Sequence, residues 1–149
     1  LNLRRYDEAL SRIQEEFDQY VGSDVFEDVC HQFLWMALAD GRLPSGLTFD
    51  TLGSWWVART DAQDQLDVVA MDRGHAVLLG ECKWTRQPVG PRDLQSLDAA
   101  MYKAASDLEP VGAPFRALFS RSGFSDDLLE LARNPSQRLL LITPDDLWK

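Results

Sequence analysis

Cysteine is scarce in this chain: of 149 residues only Cys30 and Cys82 carry thiols, and they form no Cys-x-x-Cys pair. A structural zinc needs about four nitrogen or sulfur ligands at close spacing, and Cys30, His31, His75 and Cys82 do not supply it. Long apolar runs are also missing. No stretch approaches the roughly 18 uninterrupted apolar residues of a membrane-spanning helix. Nor is there a basic segment followed by an apolar one, as a secretory signal requires. The expected location is therefore cytoplasmic. No GxxxxGK[ST] phosphate loop, GxSxG elbow or HExxH pair occurs, so the residues give no support to nucleotide, serine or zinc hydrolysis. Internal repeats and low-complexity runs are absent as well.

Positive charge is in short supply. The net charge is −9 and the pI about 4.6, which argues against a general nucleic-acid binder. The imbalance is uneven. Residues 1–74 hold six Lys/Arg against fourteen Asp/Glu, whereas 75–149 hold nine against ten. DNA is thus a possible partner, but a weak one for this acidic domain by itself. What remains is ordinary for a globular domain: 45% hydrophobic and 26% charged residues, in a length that buries a core without staples. The chain begins at Leu1 with residues that already look helical, so it is expected to be a piece of something longer.

Apolar spacing predicts a helix from Arg5 to Val21, broken at Gly22-Ser23. A second helix, with Ser23 or Asp24 as N-cap, carries Phe26, Val29, Cys30, Phe33, Leu34, Ala37 and Leu38 and is hydrophobic on most sides, as a core helix would be. Three short strands follow over Leu52–Arg59, Gln65–Met71 and Ala76–Trp84, close enough in sequence for an antiparallel meander. Pro91 opens a helix with a stripe of Leu94, Leu97, Met101, Ala104 and Leu108. Strands over Phe115–Phe119 and Arg138–Ile142 flank a helix from Asp126 to Arg133, and Thr143–Asp146 opens a last short one. The order predicts an α/β fold with a mixed sheet, in which a crossover helix joins the meander to later strands.

Charge intrudes on two of these strands. Asp67 lies within Leu66-Asp67-Val68-Val69-Ala70, and Glu81-Cys82-Lys83 follows Leu78-Leu79-Gly80; apolar strands normally exclude such groups. Alternation puts Glu81 and Lys83 on one face and Cys82 on the other. Whether Asp67 joins them depends on register. A four-residue loop over 72–75 sends Asp67 and Glu81 to opposite faces, whereas an odd loop or a bulge sets them opposite each other. Two like charges so placed repel, which implies a cation between them. Mg²⁺ or Mn²⁺ suits Asp67 and Glu81 as ligands, with Lys83 positioning a water or offsetting charge on a phosphate. The plain alternative is a solvated hairpin with a Glu81–Lys83 ion pair.

Other candidates have equally plain alternatives. Glu27 stands at capping-box spacing from Asp24, and acids favour helix N-termini. Gln95 suits a solvated helix face as well as a phosphate. Of Trp55 and Trp56 at most one could join a base-stacking platform with Trp84, because neighbours on a strand face opposite sides. Arg86, Arg92 and Lys103 fit a solvated face or a modest phosphate patch.

Taken together, Tyr20-Val21-Gly22…Phe26-Glu27, Gly53-Ser54-Trp55-Trp56, the Asp67 strand and Gly80-Glu81-Cys82-Lys83-Trp84 resemble a particular family. It is the uncharacterised C-terminal domain that follows a P-loop ATPase module in a group of archaeal and bacterial ATPases, placed in the PD-(D/E)xK nuclease superfamily. The resemblance runs from about Tyr20 to the helix after Pro91. It implies a restriction-endonuclease-like domain over 22–149 with a helical extension over 1–21. It also implies Asp67, Glu81 and Lys83 as the catalytic set, Glu27 as a further acid on the first core helix, and an ATPase domain as partner. One position departs: Gln65 stands where members often carry an acid, which removes a second metal ligand from the expected set.

Overall fold

The structure, a computed structural model, describes Glu8 and residues 23–56 and 65–147. Apart from Glu8, which is helical, the extension expected over 1–21 lies outside the described residues, as does the end of the first predicted strand beyond Trp56. The elements are α1 (Ser23–Ala39), β1 (Thr51–Trp56), β2 (Gln65–Asp72), β3 (His75–Lys83), α2 (Pro91–Leu108), β4 (Phe115–Ser120), α3 (Asp126–Ala132), a 3-10 turn (Pro135–Gln137), β5 (Leu139–Ile142) and α4 (Pro144–Leu147).

The five strands lie in sequence order, β1-β2-β3 antiparallel and β3-β4-β5 parallel. Both parallel connections step the same way across the sheet. With crossovers of one hand this puts α2 and α3 on the same face. The buried stripe of α2 is Leu94, Leu97, Ala100, Ala104 and Leu108. It packs there with Leu128 of α3 and with Leu79 and Leu118 of the sheet. The opposite face is covered by α1, whose Phe26, Cys30 and Leu34 pack with Leu47, Phe49, Val68, Leu78, Cys82 and Phe119. The result is a helix–sheet–helix sandwich with a core on each side of the sheet.

One expectation needs correcting. α1 is not buried on most sides: Val25, Trp35 and Met36 are exposed, although the Trp35 ring still lies 4.9 Å from that of Phe49. Apolar residues simply continue round the helix past the stripe that touches the sheet.

The β2–β3 turn is shorter than the four residues 72–75. Asp72 pairs with His75, leaving only Arg73 (φ 53°) and Gly74 (φ 83°) in the loop. Two left-handed residues match the twist of the flanking strands. Just beyond the turn the register slips: Met71 faces Ala76 but Ala70 faces Leu78, so Val77 is an extra residue on β3. A second slip lies between β1 and β2, where Gly53 faces Val69 and Trp55 faces Leu66. Ser54 therefore stands against both Asp67 and Val68. Each bulge reverses the alternation of faces: Ala76 and Leu78, like Leu66 and Val68, end on opposite sides of the sheet.

Candidate functional site

The bulge at Val77 settles the register on which the candidate site depends. Val68 faces Gly80 in the last pair of the ladder, and Asp67 and Glu81 are the next residues outward on the two strands. Without the bulge this two-residue turn would have set Asp67 against Gly80. Asp67 lies just past the last ladder pair, where its side chain takes over the role of a backbone acceptor. Its Oδ2 accepts the Cys82 N–H at 2.9 Å and its Oδ1 accepts Gln65 Nε2–H at 2.8 Å. Gln65, which replaces an expected acid, thus orients the aspartate. From the α1 side, His31 Nε2–H donates to the Asp67 carbonyl at 2.9 Å.

Glu81 and Lys83 share a face, as alternation predicts, while Cys82 turns into the α1-side core. Glu81 is only 8% exposed, and Lys83 Nζ lies 3.2 Å from its Oε2. Burial raises the Glu81 carboxyl above its ordinary range; Lys83 opposes this, while Asp67 and Asp93 add to it. Behind the pair, the Cys82 thiol is pushed far up by its hydrogen bond to Cys30 and by burial, which keeps it protonated.

Glu27 is half-buried on α1, and its charge is felt at Cys82 together with that of Asp67. Ser23 and Asp24 are already helical, which leaves the proposed capping box without its N-cap. The remaining candidates spread outward. Gln95, Arg86, Arg92 and Lys103 are exposed. Trp55 packs on the α2 side and donates Nε1–H to Asp107 at 3.1 Å, whereas Trp56 is exposed. The Trp84 ring lies 4.8 Å from Phe26 and carries Arg121 at 4.9 Å over its face.

Asp93 is the residue that sequence reasoning missed. It occupies the first turn of α2, where its Oδ2 accepts the Gly90 N–H at 3.0 Å and its Oδ1 lies 3.9 Å from Lys83 Nζ. The signal was present: Pro91 starts the helix, and alternation turns Lys83 toward the face that α2 covers.

Among the described residues no group of three or more His, Cys, Asp or Glu is arranged to hold a metal ion. Asp67 and Glu81, a pair rather than such a group, are the acids on which the expected site rests. Two carboxylates match what Mg²⁺ asks of a protein, since it uses one or two and keeps several waters. A nearly buried glutamate crowded by other acids is also the kind of donor a cation would relieve. The donor set fits such an ion.

No helix among the described residues is long and apolar enough to cross a membrane. No curated protein and no solved structure matches the chain. One family model does, over residues 1–98, a span that contains Glu27, Asp67, Glu81, Lys83 and Asp93. By that match the chain belongs to the DUF234 family, archaeal and bacterial proteins of unknown function.

Proposed function

We propose that this domain is a divalent-metal-dependent phosphodiester hydrolase of the PD-(D/E)xK nuclease type, acting on DNA as a partner of a P-loop ATPase domain in the same parent chain. The observation that carries this reading is the Asp67 carboxylate on the Cys82 N–H, one residue from Glu81, with Lys83 lying against the Glu81 carboxylate. A hairpin with no such task gains nothing from two acids so placed.

In this reading Asp67 and Glu81 hold the cation. When bound, it polarises a phosphoryl oxygen and lowers the pKa of a bound water. Asp67 is fixed by the Cys82 N–H and Gln65, so it needs little reorganisation on binding. The Lys83 ammonium offsets charge that develops on the phosphate or positions the attacking water. Glu27, on α1, adds negative charge on the side where His31 reaches the Asp67 backbone.

A second reading has its own support: a protein-interaction or regulatory arm of the ATPase that keeps the fold without the chemistry. The net charge of −9 and the Glu81–Lys83 ion pair favour it. Cleavage of plasmid and oligonucleotide DNA with Mn²⁺ or Mg²⁺ separates the two. The nuclease reading expects cleavage by the longer protein, joined to its ATPase, and none by its Lys83→Ala variant. Intact DNA in both would favour the interaction arm.

A further inference from the structure

Among the described residues Lys83 has two carboxylate neighbours, Glu81 Oε2 at 3.2 Å and Asp93 Oδ1 at 3.9 Å. The two partners differ in kind. Glu81 is a candidate cation ligand, so a cation bound there would repel the ammonium that now rests on it. Asp93 sits on another element and holds no place in the proposed ligand set.

That element is held firmly. The Asp93 carboxylate caps the Gly90 N–H at 3.0 Å, and Pro91 opens the helix. Just upstream, Val89 is 1% exposed; its N–H donates to the Gly123 carbonyl and its own carbonyl accepts the Ser125 N–H, both at 2.9 Å. Lys83 is tied to the same loop from the other side, since its carbonyl accepts the Arg121 N–H at 3.1 Å. Asp93 and the Lys83 backbone are thus fixed relative to each other through the loop that follows β4.

We propose that Asp93 is a positioning residue for Lys83: it offers the ammonium a second carboxylate, so that Lys83 stays at the site when Glu81 takes up a divalent cation. The inference rests on the metal-dependent reading above. It gives a half-exposed aspartate in a helix's first turn a role beyond capping.

The test is a double-mutant cycle on the whole 149-residue chain, titrating Mn²⁺ by calorimetry. Asp93→Asn keeps an oxygen for the Gly90 N–H and removes the charge. With Lys83 present it should weaken Mn²⁺ binding about twofold to fivefold, the range of a partly exposed ion pair. In a Lys83→Met background the same change should have a clearly smaller effect, because no ammonium remains to compete for Glu81. A second readout needs no heat of binding. The Lys83 ammonium signal in a ¹H–¹⁵N spectrum, identified by its loss in Lys83→Met, should persist on adding Mg²⁺ to the unsubstituted chain and vanish in Asp93→Asn. Equal weakening in both backgrounds, or an ammonium signal indifferent to Asp93, would overturn the inference. Absence of any Mn²⁺ heat in the unsubstituted chain would instead overturn the metal-dependent reading, and it is recognisable because it involves no Asp93 variant.

Discussion

Between β3 and β4, six consecutive pairs from Leu78–Phe115 to Lys83–Ser120 run in unbroken parallel register. On the other side of β3 the antiparallel ladders slip twice, once beside Val77 and once beside Asp67. The parallel half is buried on both faces, as crossover helices require, and an irregularity there would open both cores. The antiparallel half tolerates bulges, and one of its two lies beside Asp67. Regularity in one half provides the rigid platform, and irregularity in the other aims the side chains.

The largest effect should come from breaking the regular half. Phe119 is fully buried on β4, and Phe119→Ala should cost about 3–5 kcal/mol in denaturant unfolding. Next comes Gly80, where the two halves join. A Cβ there would lie 2.6 Å from the Ala117 carbonyl oxygen, a backbone atom that cannot swing aside. Gly80→Ala should therefore cost about 1–3 kcal/mol by forcing β3 from β4. Asp67→Ala should cost less, about 1 kcal/mol, by leaving the Cys82 N–H without its acceptor. Asp67→Asn keeps an acceptor and should recover most of that loss.

The smallest effect is a pH dependence carried by Glu81. Burial raises its carboxyl in the folded state, so the folded protein binds this proton more tightly than the unfolded chain. The stability this contributes is present below the ordinary glutamate range and is lost as pH rises through the raised value. Glu81→Gln should consequently gain stability relative to the unsubstituted protein over that window. Denaturation midpoints of the two proteins at about pH 4 and about pH 7.5 check the sign: the gap should favour the variant more at the higher pH.

Much of this arrangement was legible in the sequence. The alternation at Glu81-Cys82-Lys83 and the stripe on α2 follow from periods of two and 3.6 residues. The position of the bulge did not follow, because Val77 and Leu78 are both apolar and a one-residue slip leaves an apolar run looking the same. Only the conflict between a four-residue loop over 72–75 and two acids on one face hinted at it. Asp93 was hidden for a different reason: an acid in a first turn is explained by the helix dipole before any other partner is sought. Trp35 and Met36 are exposed on α1, since hydrophobic residues need not be covered.

Everything proposed for this site depends on Asp67 and Glu81 jointly binding a divalent cation, and calorimetry with Mn²⁺ on the unsubstituted chain and on Asp67→Asn is the decisive test. Saturable binding by the unsubstituted chain should disappear in an Asp67→Asn protein whose stability is little changed. Binding that survives in Asp67→Asn, or none in the unsubstituted chain, would contradict the joint site.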